Sequence, residues 1–174
     1  MKNLLLALAI GLTAMGCKDR EPNPNVLPPA TQEGKNTAGC LIDGKIWVAS
    51  SKYVSLQGGA GNRAYIYKNG NALVQIDLRG VRNKSSIFIR VPIENFQLNK
   101  EYILPQAVHI DENICSFRTG EYTLYDFIPS KGKIKITRLD TNKQIISGTF
   151  EFEAEDKDGN VVHITEGRFD RKFD

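Results

Sequence analysis

From Gly39 onward the chain alternates apolar and polar residues, and that two-residue period calls for strands rather than helices. Ala72, Val74, Ile76 and Leu78 interleave with Leu73, Gln75, Asp77 and Arg79. Ile87, Ile89, Val91 and Ile93 interleave with Phe88, Arg90 and Pro92. Shorter runs follow at Ile134 and Ile136, at Phe150 and Phe152, and at Val162 and Ile164. Successive side chains of a strand point to opposite faces, so each run buries one face and wets the other. Turn signals separate the runs: Asp43-Gly44, Asn69-Gly70, Asp140-Thr141-Asn142-Lys143 and Asp156-Lys157-Asp158-Gly159-Asn160. No stretch of this region sustains apolar spacing of three and four. The expectation is an all-β, antiparallel domain over residues 39–174, of about nine or ten strands, built as a β-sandwich or a flattened barrel.

Before this domain the pattern differs twice. Residues 1–16 place Lys2 ahead of a short apolar stretch, Leu4 to Leu12, broken only by Gly11. Small residues, Ala14 and Gly16, then precede Cys17. The stretch is too short for a stable membrane span but has the form of a signal-peptide core. Residues 17–38 hold four of the chain's seven prolines, Pro22, Pro24, Pro28 and Pro29, and show no apolar period. They read as a flexible linker.

The run Leu12-Thr13-Ala14-Met15-Gly16-Cys17 resembles the lipobox of bacterial lipoproteins, with Ala14 where leucine is usual. The resemblance implies a signal peptide over 1–16, cleavage before Cys17, and acylation of that cysteine. Several acyl chains hold a protein firmly, where one holds it only reversibly. It further implies a partner in the membrane itself and a place in the cell envelope, at the outer membrane. The charged cluster Lys18-Asp19-Arg20-Glu21 partly resembles the surface-export signal of Bacteroidota-type lipoproteins. Near the C-terminus, Ile145-Ile146-Ser147-Gly148-Thr149-Phe150-Glu151-Phe152 and Ile164-Thr165-Glu166-Gly167-Arg168-Phe169-Asp170 resemble a group of β-rich secreted lipoprotein domains of unknown function. That group brings no catalytic residues with it. Gly148 is expected to permit a bulge or close packing, and Gly167 to turn the chain before a closing strand pinned by Phe169.

With Cys17 spent on lipid, Cys40 and Cys115 remain as an even pair outside the cytoplasm, where a disulfide between them is expected over two free thiols. The charge is nearly balanced, 23 Lys and Arg against 20 Asp and Glu, which speaks against nucleic acid as a partner. Two histidines leave little for a zinc centre, and no metal or other cofactor is expected.

Four constellations have bland explanations. Gly59-Ala60-Gly61-Asn62-Arg63-Ala64 has the glycines of a dinucleotide loop but is followed by a strand rather than a helix, so a hairpin loop explains it. Asp156 to Asn160 has the look of a calcium loop, yet its glycine falls fourth and the twelfth place is Gly167. His109, Asp111 and Ser116 could supply a hydrolase, but no Gly-x-Ser-x-Gly elbow accompanies them. His163 alternates outward on a strand and reads as surface.

Tyr65, Tyr67 and Phe88 are the candidate binding surface, because aromatic rings on a sheet face can stack on a glycan or pack against a protein. The function expected is a non-enzymatic, membrane-anchored binding module for a protein or glycan. A lipocalin-like carrier of a small apolar ligand is the alternative, and it requires an internal cavity. A hydrolase is the remote third.

Overall fold

The computed structural model describes residues 21–51, 63–69, 71–82, 85–92, 97–104, 115–119 and 127–173. They form ten strands: β1 (Thr37–Ile42), β2 (Lys45–Val48), β3 (Arg63–Asn69), β4 (Asn71–Arg79), β5 (Ser86–Pro92), β6 (Glu101–Ile103), β7 (Cys115–Arg118), β8 (Ile128–Asp140), β9 (Ile145–Glu155) and β10 (Val161–Lys172). One sheet has six strands in the order β2-β1-β10-β9-β8-β6, and the other has four in the order β3-β4-β5-β7. Every ladder is antiparallel.

The turn chemistry works as the sequence foretells. Asp43 and Gly44 take φ of 48° and 75°, the paired left-handed geometry that matches the twist of two antiparallel strands. The Asp156–Asn160 turn is closed by its own aspartate. The Asp156 carboxylate accepts from the backbone N–H of Asp158 and Asn160 and from Asn160 Nδ2, at 2.9, 2.8 and 2.8 Å.

The inward positions meet in one core. Leu78 faces Ile87 and Ile76 faces Ile89 across β4–β5, while Ile134 faces Phe150 across β8–β9. These residues join Trp47, Ile136, Phe152, Ile164 and Phe169 in a continuous buried cluster fed by both sheets. Burying each such side chain contributes roughly 1.5–3 kcal/mol. Phe150 and Phe169 stack with ring centroids 6.3 Å apart. A polar stitch also joins the layers: the Trp47 indole Nε1 donates to Ser85 Oγ at 2.8 Å, in a buried position.

Among the described residues the backbone ladders of the two sheets are linked by isolated bridges, Ala49 with Gly80, Ala64 with Phe173 and Phe117 with Phe127. Among the described residues no ladder joins the two sheets, so the architecture is a sandwich and not the flattened barrel.

Two local expectations change. Gly167 does not turn the chain. It lies inside β10, where the register with β9 shifts between Ile164 and Gly167, and Glu166 takes a φ of 51°. The extra residue forms a bulge, so the strand bends without ending. Of the segment expected as a flexible linker, residues 17–20 lie outside the described residues, and residues 21–36 are hydrogen-bonded to the rest of the domain.

Candidate functional site

The fastening defines the most elaborate polar structure in the described residues. Residues 21–36 form a strap over the outer face of β1, β10 and β9. Asp170 sits on that face of β10, alternating with Phe169 and Arg171, which point inward. Its carboxylate accepts from Thr31 Oγ1 at 2.6 Å, from the backbone N–H of Glu33 at 3.0 Å, Gly34 at 2.8 Å and Lys35 at 3.1 Å, and from Ser147 Oγ at 2.8 Å. Gly34 takes φ +73°, a conformation that side chains rarely adopt, and this turns the strap so that consecutive N–H groups converge on one anion. Asp170 is 1% exposed. Burial works to raise its pKa, but the hydrogen bonds from Thr31, Lys35, Ser147 and Glu33 together outweigh it, so the carboxyl titrates below the ordinary aspartate range.

Arg171 fastens the strap from the inside. Its Nη1 donates to the carbonyl of Asn36 at 2.7 Å and its Nη2 to that of Ser50 at 3.5 Å. Burial pushes its pKa down to about 10, opposed by the charge of Asp170, so it stays a cation at neutral pH. Further along, Arg138 donates to the carbonyl of Gln32. Leu27 and Pro28 lie against Gly39, where a Cβ would come within 2.8 Å of the proline ring.

Beside the strap runs an open groove of about 280 Å³. Its walls include Ala30 of the strap, Lys133 and Lys135 of β8, Glu151 of β9 and Arg168 of β10. Glu101 and Glu166 complete a mixed set of three cations and three carboxylates. Register places these charges in rows: Lys135 faces both Glu101 and Thr149, and Thr149 faces Arg168. Lys133 Nζ lies 3.4 Å from Glu101 and 3.4 Å from Glu151. Hydrogen bonds to Glu151 and then Glu101 raise its pKa. Arg168 lies 3.1 Å from Glu166. Such a face can hold a partner that presents alternating charge, because each ion is already positioned but remains wet.

The aromatic surface is placed only in part. Tyr65 faces Gln75, which faces Arg90, and Asp77 faces Phe88 on the same side of the four-stranded sheet. Gln75 Nε2 donates to the Tyr65 hydroxyl, and the Arg90 guanidinium lies 5.3 Å from the centroid of the Phe88 ring. Tyr65 and Phe88 therefore share one outer face with a buried Gln75–Asp77 pair. The side chain of Tyr67 lies outside the described residues. So do Cys17, the signal segment, His109, Asp111 and the side chains of Cys115 and Ser116.

Cys40 is a free, buried thiol, so the expected bridge to Cys115 is not formed. Cys40 belongs to β1 of the six-stranded sheet and Cys115 to β7 of the four-stranded one. Burial drives the Cys40 pKa far above the ordinary thiol range, with the charge of Arg168 acting in the opposite direction. His163 is an outer-face residue 3.5 Å from Glu153. Among the described residues no cluster of three or more His, Cys, Asp or Glu side chains is arranged to hold a metal.

A family profile described as a domain of unknown function, DUF6252, matches residues 41–171. The chain belongs to that family. The DUF6252 match runs from the end of β1 into β10 and therefore takes in Asp170, while the strap that Asp170 holds lies before its first matched residue. No curated protein and no solved structure matches the chain.

Sequence reasoning missed the Asp170–Arg171 pair. The signal was present: alternation in Phe169-Asp170-Arg171-Lys172-Phe173 puts Arg171 on the side of two core phenylalanines, where a cation needs partners.

Proposed function

We propose that this DUF6252 domain is the exported, lipid-anchored part of a bacterial envelope lipoprotein and acts as a non-enzymatic binding module. The observation that carries the proposal is the signal-like segment ending in Ala14-Met15-Gly16-Cys17. Among the described residues no helix is long and apolar enough to cross a membrane, and acyl chains on Cys17 would supply the attachment instead. The proposal places the anchor at the outer membrane and the partner, a protein or glycan, on the domain. The charged groove beside the strap is its contact surface, with the Tyr65 and Phe88 face as a second.

The test has two parts. Metabolic labelling with palmitate should mark the wild type and not Cys17→Ser, and the variant should leave the membrane fraction. Capture from native membranes should then recover a partner with the wild type and lose it with the double variant Lys133→Glu, Lys135→Glu. An unlabelled wild type ends the anchor reading. Capture unchanged by the charge reversal ends the groove reading. A lipocalin-like carrier has less support, because the inward positions of the described strands are occupied by a continuous side-chain core.

A further inference from the structure

The strap fixes how far the domain can stand from its anchor. Glu21 is held at one end of the sandwich: its carboxylate accepts from Ser50 Oγ at 2.6 Å and from the Ser51 backbone N–H at 3.1 Å. Ser50 in turn donates its backbone N–H to the carbonyl of Arg79 at 2.8 Å, and Ala49 bridges Gly80. Glu21 thus sits beside the connection from β4 to β5. Cys17 precedes Glu21 by four residues, a reach of at most about 14 Å even when fully extended. A free spacer ending at residue 37 would reach several times farther.

The near end carries Arg79 and the exposed Arg82. The far end carries mixed charge, with the exposed Asp43 next to Lys45 in one turn and Asp158 ion-paired with Lys157 in the other. The twelve residues of β10 span the interval between these ends, about 35 Å along a strand.

We infer that the β4–β5 end of the sandwich rests on the bilayer, with Arg82 and Arg79 against acidic lipid headgroups, and that the strap clamped by Asp170 holds it there. This rests on the Cys17 anchor reading. A short tether brings the end to the surface, and cations near an anionic bilayer are drawn to it within a Debye length. The domain then projects its Asp43 and Asp158 turns outward at a fixed orientation. A clamp that loosened would convert an oriented domain into a freely tumbling one.

The experiment uses the full acylated protein on vesicles of phosphatidylglycerol and phosphatidylethanolamine, with phosphatidylcholine vesicles for comparison. In a Cys115→Ser background, one fluorophore is placed through Val81→Cys and another through Asp158→Cys, and quenchers are carried on lipid headgroups. Label 81 should be quenched and label 158 should not. Arg82→Gln should weaken the preference for acidic vesicles about fivefold, the effect of losing one cation at a charged surface. Asp170→Asn should bring the two labels toward equal quenching while the protein stays on the vesicles. Equal quenching of both labels in vesicle-bound wild type overturns the orientation and leaves the anchor standing. Binding that is indifferent to Cys17→Ser overturns the anchor reading and this inference with it.

Discussion

The carboxylate of Asp170 accepts a 2.8 Å hydrogen bond from the backbone N–H of Gly34, 136 residues earlier in the chain. Around this pair the N-terminal strap is tied to the C-terminal part of β10, two residues before its end, so the first and last described segments stabilise one another. Hydrogen bonds to a charged acceptor contribute about 1.5–3 kcal/mol each when buried, and stranding their donors is costlier than the average bond suggests. Asp170→Ala should therefore destabilise the domain by about 3 kcal/mol or more, measured by urea unfolding. Limited proteolysis should cut the variant after Lys35 before the sheet is touched. A strap equally resistant in both proteins would show that other contacts hold it.

Acid should release the same clamp. The Asp170 pKa is lowered on folding, so its contribution is fully present above the unfolded value of about 3.9 and is lost as pH falls through the folded one. Unfolding free energy should be flat in this respect from neutral pH down to about pH 5 and decline below about pH 4. Asp140 and Asp156 are also lowered, the first chiefly by Arg138 and the second chiefly by Asn160, and they decline in the same direction. Asp170→Asn should make the slope shallower. An unchanged slope would assign the acid sensitivity to the other carboxylates.

Cys40 is buried and carries a free thiol, with a pKa raised by burial. Thiolate is the reactive form, so the native protein should leave Cys40 unmodified by a thiol reagent at pH 8 and expose it only on unfolding. The melting temperature should be the same with and without reductant. A fall on reduction would reveal a Cys40–Cys115 bridge after all.

Gly148 lies where β9 passes between β8 and the Phe169 ring. A Cβ there would stand 2.6 Å from the Lys135 carbonyl oxygen and 2.8 Å from Phe169 Cζ. Backbone blocks one side and a packed ring the other, so Gly148→Ala should cost about 1–3 kcal/mol, read as a lower denaturant midpoint. A neutral result would mean the ring can swing aside.

Trp47 and Ser85 join the two sheets through a 2.8 Å hydrogen bond. Ser85→Ala strands a buried indole N–H and should cost about 1–3 kcal/mol. The fluorescence of Trp47, the chain's sole tryptophan, should shift in the folded variant. An unaltered spectrum and midpoint would indicate that water takes the place of the hydroxyl.

Strand type, the inward set and the turns were legible in the sequence because they are local. The two-residue period of Val74, Ile76 and Leu78 names the element and its core face, although Gln75 and Asp77 opposite are buried as well rather than wet, and Asp43-Gly44 names the hairpin. The strap was not legible. Residues 21–36 have no period, and what orders them is backbone N–H groups meeting one distant carboxylate. The aromatic surface was half legible, since alternation groups Tyr65 with Tyr67 but cannot say that Gln75 would occupy the Tyr65 hydroxyl.

The sequence by itself determined an all-β domain and the core faces of its strands, since each follows from the order of neighbouring residues. Only the tertiary structure decided that the sheets stay two, that Cys40 is unbridged and that the supposed spacer is a strap. Those outcomes depend on which residues far apart in the chain come together, and an anion such as Asp170 carries no mark in the sequence of the donors it will meet.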